Sequence, residues 1–282
     1  MNNFIIVFCE GDHDIAFLTR ILLVNGYKSY NKKVNEFRKP LDKLYIKNLS
    51  TKKIADHEFK FQQPKQKVPY SVLEKDDYLV IFHNFNGDGN FKKDGANNII
   101  KMYLSLNNEN RRKIEKYEKL NYKFLYFLDA DNEGVESRVN AIKNSLDLDE
   151  FKHLEITSHD NYDVGCYIFH DEKDLNKYGT LEDVLISLMM KNNETTFNNS
   201  RDFIKSNLLA SDRQRKLLCT DIEEKPVDSI TFKKQKSIIS IAGQLQFSGS
   251  SNAVIIANSD YIKKNDIDNS TSCQNILKLF NR

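Results

Sequence analysis

Continuous apolar runs alternate with helix-like segments along the first part of the chain. The runs, each long enough to form a buried strand, cover 4–9, 78–82, 122–128, 153–157 and 164–169. Between them, apolar residues recur at the three- and four-residue spacing of helices over 12–25, 96–106, 109–120 and 133–146. Strands separated by helices predict an α/β fold with a mainly parallel sheet flanked by helices.

The last third of the chain has a different pattern. From residue 179 onward helical spacing dominates, over 180–190, 197–208, 211–218 and 232–247. We therefore expect an α/β domain over 1–170 and a helical C-terminal region over 171–282 that packs on it. Residues 28–76 are rich in lysine and contain three of the four prolines, so they predict an extended insertion between the first two strands.

Composition indicates a folded chain without a strong overall field. Of 282 residues, 40% are hydrophobic and 29% are charged, and 42 Lys and Arg against 40 Asp and Glu leave a net charge of +2. Any surface that attracts nucleic acid must therefore be local. The insertion is the candidate, because basic and aromatic residues alternate there, although an ordinary solvated face has the same composition. These residues are Lys28, Lys32, Lys33, Arg38, Lys39, Lys43, Lys47, Lys52 and Lys53, with Tyr27, Tyr30, Phe37 and Tyr45.

The sequence gives no sign of export or membrane insertion. Its first residues, Met-Asn-Asn-Phe, lack a basic n-region, and no apolar stretch approaches the roughly 18 residues of a membrane span. Its four cysteines have no C-x-x-C spacing, which predicts reduced structural thiols. We expect a cytoplasmic protein with no membrane partner.

Acidic residues follow two of the predicted strands. Glu10-Gly11 comes directly after the run 4–9, and Asp129-Ala130-Asp131 comes directly after the run 122–128. The carboxyl ends of parallel strands meet at one edge of a sheet, where ligands of α/β proteins bind. Carboxylate oxygens at that edge suit a hard divalent cation such as Mg²⁺. Taken singly, each acid also fits a helix cap or a solvated turn.

With these residues, the chain resembles the Toprim (topoisomerase-primase) family. That family has a strand ending in Glu-Gly, a strand running into a glycine turn, and a strand ending in Asp-x-Asp-x-x-Gly. The matching segments are Glu10-Gly11, Gly87-Asp88-Gly89 and Asp129 to Gly134. Asp14 completes a Glu-Gly-x-x-Asp variant that is similar to stand-alone Toprim proteins and the overcoming-lysogenization-defect (OLD) nucleases. The segment from Gly179 to Asp183 resembles a Gly-x-Leu-Glu-Asp signature of a small stand-alone group.

The motifs cover residues 4–157, and the weaker group resemblance covers most of the remainder. The insertion at 28–76 departs from the family, since it is longer than the compact family core needs.

The resemblance implies Mg²⁺- or Mn²⁺-dependent phosphoryl transfer on DNA or RNA. Asp129 and Asp131 would hold the ion, and Glu10 would bind it or act as general base. The remaining candidates are Asp14, Glu182 and Asp183 as further metal ligands, and Lys236 as a cation beside the developing charge. Glu182 and Asp183 also fit a plain helix start, and Lys236 fits a solvated helix end. Because no topoisomerase or primase companion part is evident, hydrolysis is the simplest remaining chemistry.

Two histidines lie near the predicted edge. His13 falls beside Asp14, and His83 closes the second strand, so each is either part of the site or an ordinary structural residue.

Two interpretations of function stay open. The first interpretation is a nuclease, for which phage defence or toxic RNA cleavage are the expected roles. The alternative is a non-catalytic Toprim-like module that binds a nucleotide or a partner protein. Either interpretation is compatible with a partner protein of the same system or with a homo-oligomer.

Overall fold

The computed structural model describes residues 3–50, 68–85, 94–219, 224–230 and 233–281. Its strands are β1 (Asn3–Cys9), β2 (Lys28–Ser29), β3 (Ser71–Lys75), β4 (Tyr78–Asn84), β5 (Asn121–Asp129), β6 (Ile156–His159), β7 (Tyr162–Phe169), β8 (Arg215–Cys219) and β9 (Glu224–Ile230). Its helices are α1 (Asp12–Val24), α2 (Leu41–Ser50), α3 (Asp94–Leu104), α4 (Glu109–Glu115), α5 (Val135–Leu146), α6 (Leu181–Met189), α7 (Glu194–Asn207), α8 (Lys234–Gln244), α9 (Asn252–Asn258), α10 (Lys264–Asp268) and α11 (Thr271–Phe280).

A seven-stranded sheet in the order β2-β3-β4-β1-β5-β7-β6 forms the centre of the fold. The four central strands β4, β1, β5 and β7 are parallel, and the outer strands β2, β3 and β6 pair antiparallel to their neighbours. Parallel strands covered on both faces read as continuous apolar runs, which is why the sequence predicts them well. The predicted α/β fold, a mainly parallel sheet flanked by helices with a helical C-terminal region, is confirmed.

Alternate residues of β1 enter two different cores. Ile5, Val7 and Cys9 face a core that includes residues of α1, α6, α8, α9 and α11. Phe4 and Phe8 face a second core that includes residues of α2, α3 and α5. This alternation follows from the two-residue period of a strand. The C-terminal helices therefore share one core with the sheet.

The described part of the predicted insertion is not an extended surface segment. Leu41 and Tyr45 of α2 are fully buried in the second core, and β3 continues the sheet. The Tyr45 hydroxyl lies 2.8 Å from that of Tyr103, and its ring packs against Phe37. Lysines interrupt the apolar positions of α2, so the sequence does not show a clear helical spacing there. Tyr45 thus has no face free for base stacking, while residues 51–67, with Lys52 and Lys53, lie outside the described residues.

Two features of the C-terminal region differ from the prediction. The helix expected over 211–218 is wrong, because β8 forms an antiparallel hairpin with β9 after a short 3-10 turn at Ser211–Gln214. Arg, Lys and Leu favour helix locally, but pairing with the next strand along the chain overrides that preference. The sequence also gives no signal for the short helices α9 and α10. Among the helices of the described residues, none has the length and apolar character to span a bilayer.

The cysteines whose side chains are described are buried thiols. Cys9, Cys166 and Cys273 are free, and burial is the main cause that raises the pKa of each thiol. A thiol held protonated in this way is a poor nucleophile. The prediction of structural thiols is confirmed for these three residues.

Arg20 connects α1 to the C-terminal layer through hydrogen bonds. We expect Arg20→Met to lower the free energy of unfolding by about 2 kcal/mol. Its guanidinium donates to the carbonyl of Ile256 at 2.9 Å, to that of Ser259 at 2.6 Å and to that of Ile262. The substitution leaves three carbonyls without this donor. Urea denaturation followed by circular dichroism measures the loss. The exposed Lys101→Met is the matched control, and equal midpoints for the two variants would contradict the role of Arg20.

Candidate active site at the carboxyl ends of the strands

Glu10 and Asp129 lie at the same edge of the sheet. β1 and β5 are adjacent and parallel, with Cys9 opposite Phe127, so both acids follow at the carboxyl ends of their strands. Asp14 is buried in the first turn of α1, and its Oδ2 accepts a hydrogen bond of 2.8 Å from the backbone N–H of Gly11. The Glu-Gly-x-x-Asp segment therefore turns Asp14 back toward the strand end.

The segment after β5 is joined to the start of α6. The backbone N–H of Leu181 donates to Asp129 Oδ1 at 2.7 Å. Asp131 and Gly179 exchange two backbone hydrogen bonds of 2.7 and 3.0 Å. Glu182, one residue after Leu181, is buried at the same place. The structure thus brings together two segments about fifty residues apart, both of which carry predicted site residues.

The carboxyl groups of this region repel one another. Burial, followed by the charges of neighbouring carboxylates, raises the pKa of Asp129 to about 9. Burial raises the pKa of Asp14 to about 8, and the charges of Glu10 and Glu182 act in the same direction. Burial and the charge of Asp131 raise the pKa of Glu10. We define Glu10, Asp14, Asp129, Asp131 and Glu182 as the carboxylate cluster.

Two members of the carboxylate cluster have cationic partners. Burial opposes ionisation of Glu182, but the hydrogen bond from His13 and the charge of Lys236 outweigh it, and the pKa of Glu182 is lowered. The His13 Nδ1 lies 2.8 Å and the Lys236 Nζ 3.5 Å from Glu182 Oε1. His13 and Lys236 therefore lie at the predicted site, each in contact with Glu182.

Arg138 is the partner of Asp131, and sequence analysis missed it. Its buried guanidinium places Nη2 2.5 Å from Asp131 Oδ2, and its Nε donates to the carbonyl of Asp129 at 2.9 Å. Nη1 lies 3.3 Å from Glu133 Oε2. An arginine within the apolar stripe of a predicted helix, next to Val139, was the available signal, because buried arginines are paired. Arg138 holds the residue after the strand end in a fixed place.

Glu10, Asp14 and Asp129 remain without an ion pair to any residue that the structure describes. One oxygen of Asp14 and one of Asp129 accepts a backbone hydrogen bond. Glu10 Oε1 is buried and has no hydrogen-bond partner among the described residues. A buried oxygen of this kind costs free energy unless a partner reaches it. The charges of Arg138 and Lys236 act on Glu10, and that of Lys236 acts on Asp14, but burial and the neighbouring carboxylates outweigh them and the pKa values remain raised.

The other candidates from the sequence are Asp183, His83 and the turn 87–89. Asp183 Oδ2 accepts from the Thr180 N–H at 2.9 Å in the capping box of α6, and its Oδ1 accepts from Gln235 at 3.4 Å, so Asp183 serves the cap. His83 lies next to the carboxyl end of β4 as predicted, but its side chain is buried against Phe8 and Tyr103, with Nε2 2.9 Å from the Tyr103 hydroxyl, so the structural interpretation fits it. The turn 87–89 lies outside the described residues.

The chemistry and charge of the carboxylate cluster fit a hard divalent cation. Its donors are carboxylate oxygens, which Mg²⁺ and Mn²⁺ prefer, and mutual repulsion favours a positive ion among them. Among residues 3–50, 68–85 and the rest of the described chain, no three Asp, Glu, His or Cys side chains stand close enough together to hold a metal ion. Binding therefore requires the side chains to draw together.

Both pH and a bound metal ion should change the stability of the folded protein. The folded-state pKa values of Asp14 and Asp129, about 8 and 9, exceed the ordinary unfolded value of about 3.9. The folded state then binds more protons, so the stability contributed below about pH 4 is lost as pH rises toward 9. In chelator, we expect the thermal midpoint to fall between pH 6 and 9, and Mn²⁺ to raise it by roughly 5 °C or more at pH 8. Asp14→Asn should flatten the decline; a Mn²⁺ effect that is absent at pH 8 would contradict a cation site.

Gly179 allows the chain before α6 to pass close to Asp171 and Asp183. Its φ is +122°, and a Cβ there would lie 2.7 Å from the Asp171 backbone nitrogen and 2.9 Å from Asp183 Oδ2. We expect Gly179→Ala to lower the free energy of unfolding by roughly 2–4 kcal/mol through strain and overlap. Gly11→Ala is the control, since nothing lies within 4 Å of its Cβ position, and its cost should stay under about 1 kcal/mol. Equal denaturation midpoints would refute the steric account.

Comparisons with known proteins identify no family. No protein-family model matches the chain, and the comparison with curated proteins gave no significant match. A solved structure titled as a hypothetical protein from Pyrococcus horikoshii OT3 is similar, with 14% identity and a TM-score of 0.49 over 100% of this chain and 95% of that chain. Any assignment of function therefore depends on the residues of the chain itself.

Proposed function

We propose that this protein hydrolyses phosphodiester bonds of DNA or RNA in a reaction that requires Mg²⁺ or Mn²⁺. The observation that carries the proposal is the group of buried carboxyls at the ends of β1 and β5, of which Glu10, Asp14 and Asp129 lack a cationic side-chain partner among the described residues. The resemblance of the same residues to Toprim motifs supports it. The fold alone would not, since one fold hosts many activities.

In this proposal, Glu10, Asp129 and Asp131 hold the ion, and Asp14 and Glu182 supply oxygens for a second one. When bound, the ion would neutralise the scissile phosphate and lower the pKa of the attacking water. The raised pKa of Glu10 suits a group that takes a proton from water near neutral pH. Lys236, beside Glu182, offers a positive charge for the developing phosphorane oxygens.

Arg138 acts in this proposal as a positioning residue. Its contacts with Asp131 and with the Asp129 carbonyl fix the direction of the Asp-x-Asp segment. His13 has a similar part on the other side, since it holds Glu182. Preorganised ligands lower the cost of assembling a metal site.

The alternative is a Toprim-like module that binds a nucleotide or a partner protein without turnover. One observation favours it: the described acids do not already stand at metal-binding distances. Such a module would bind nucleic acid or a nucleotide whichever divalent ion is present, and would cleave nucleic acid with none of these ions.

Cleavage assays distinguish the two functions. We expect the purified protein to cut at least one of plasmid, single-stranded DNA and total RNA with Mg²⁺ or Mn²⁺, and none with chelator. Glu10→Gln and Asp129→Asn should each slow cleavage roughly 100-fold or more. The exposed Asp149→Asn is the matched control and should cut at the wild-type rate. Equal cleavage by Glu10→Gln would assign the activity to a contaminant or another site.

A further inference from the structure

A cavity of about 680 Å³ opens beside the carboxylate cluster, between α7 and α8. Lys236 lines this cavity and also lies 3.5 Å from Glu182, so the cavity and the cluster share one side chain. Lys233, at the start of α8, lines it as well, and its charge opposes the rise that burial causes in the pKa of Asp131. Lys236 therefore places the cavity next to the proposed catalytic edge.

The wall formed by α7 is apolar although it faces solvent. The side chains of Phe203, Leu208 and Leu209 are 58%, 55% and 45% exposed, respectively, and all line the cavity. Phe197 of α7 is buried in the core, and Ile204, which also lines the cavity, is nearly buried. An exposed aromatic ring beside two leucines forms a surface on which a flat apolar group can stack.

The charges of this cavity are all positive. Arg213, Lys233 and Lys236 line it, and no acidic residue is among the lining residues that the structure describes. A second cavity, of about 650 Å³, lies on the other side of α8 near Asp183. That cavity mixes lysines and an arginine with Asp171 and Glu172, so it does not favour an anion in the same way.

We propose that the cavity between α7 and α8 binds an unpaired nucleotide next to the scissile bond, with the base on Phe203 and the phosphate on Lys233 and Arg213. This inference rests on the proposed function and narrows its substrate to single strands or strands with unpaired ends. An aromatic face with cations beside it is the arrangement that holds single-stranded nucleic acid. A base within a continuous duplex is stacked on its neighbours and cannot enter a cavity without being extruded.

Fluorescence anisotropy with a labelled ten-nucleotide strand, its abasic counterpart and a matching duplex tests the inference, in chelator so that nothing is cut. We expect the wild type to prefer the single strand over both others. Phe203→Ala should weaken single-strand binding roughly 5-fold or more and remove the preference over the abasic strand. Lys233→Ala should weaken binding of the single strand and of its abasic counterpart alike and reduce the salt dependence of both, and should change duplex binding less.

The controls are Lys205→Ala, on the same helix but outside the cavity, and the exposed Leu245→Ala. Both should bind as the wild type does, and circular dichroism should show that each variant is folded. Wild-type affinity in Phe203→Ala, or a preference for duplex, would overturn the inference. So would light scattering that shows a dimer lost in Phe203→Ala, because a second copy would then fill the cavity. Binding needs no turnover, so the expected pattern without cleavage under any ion would overturn the hydrolysis and leave the cavity assignment standing.

Discussion

Repulsion among buried carboxyl groups at the ends of β1 and β5 is the interaction on which the rest of the site depends. A sheet covered on both faces leaves its strand ends as the place where polar groups can reach solvent. Here that place holds five acids, and among the described residues a cationic side chain pairs directly with two of them, Asp131 and Glu182. The other three are buried enough for their pKa values to rise. Either protons or a divalent ion must offset their charge.

The C-terminal region takes part in this arrangement. The N–H of Leu181 holds Asp129, and Gly179 pairs with Asp131 through backbone hydrogen bonds. The same region supplies Glu182, which contacts both Lys236 and His13 of α1. The cluster therefore forms only when the two parts of the chain pack together, and the contacts of α1 with the C-terminal layer matter for the site as well as for stability.

Sequence patterns predicted the strand ends well because β1 and β5 are continuous apolar runs, so the position of Glu10 and Asp129 at one edge followed from chain order. They failed where burial is shared between distant segments. The lysines of α2 conceal a helix whose Tyr45 enters the core, and β8 takes its structure from a partner strand. The role of Arg138 was not predicted, because it depends on how the chain turns after β5 at Asp129–Asp131. Local composition does not encode that turn.

The difference between Asp131 and its neighbours bears on how the site would work. Asp131 has a φ of +48°, is half-exposed and is held by Arg138, so its carboxylate is fixed in direction and already compensated. Asp129 and Glu10 lie deeper and have no ion pair among the described residues, although the charges of Arg138 and Lys236 lower the pKa of Glu10 in part. In the proposed metal site, an ion would gain most from this deeper pair, since Coulomb attraction grows as water is excluded. The deeper pair would then supply the binding energy, and Asp131 would supply the fixed direction from which a phosphate is approached.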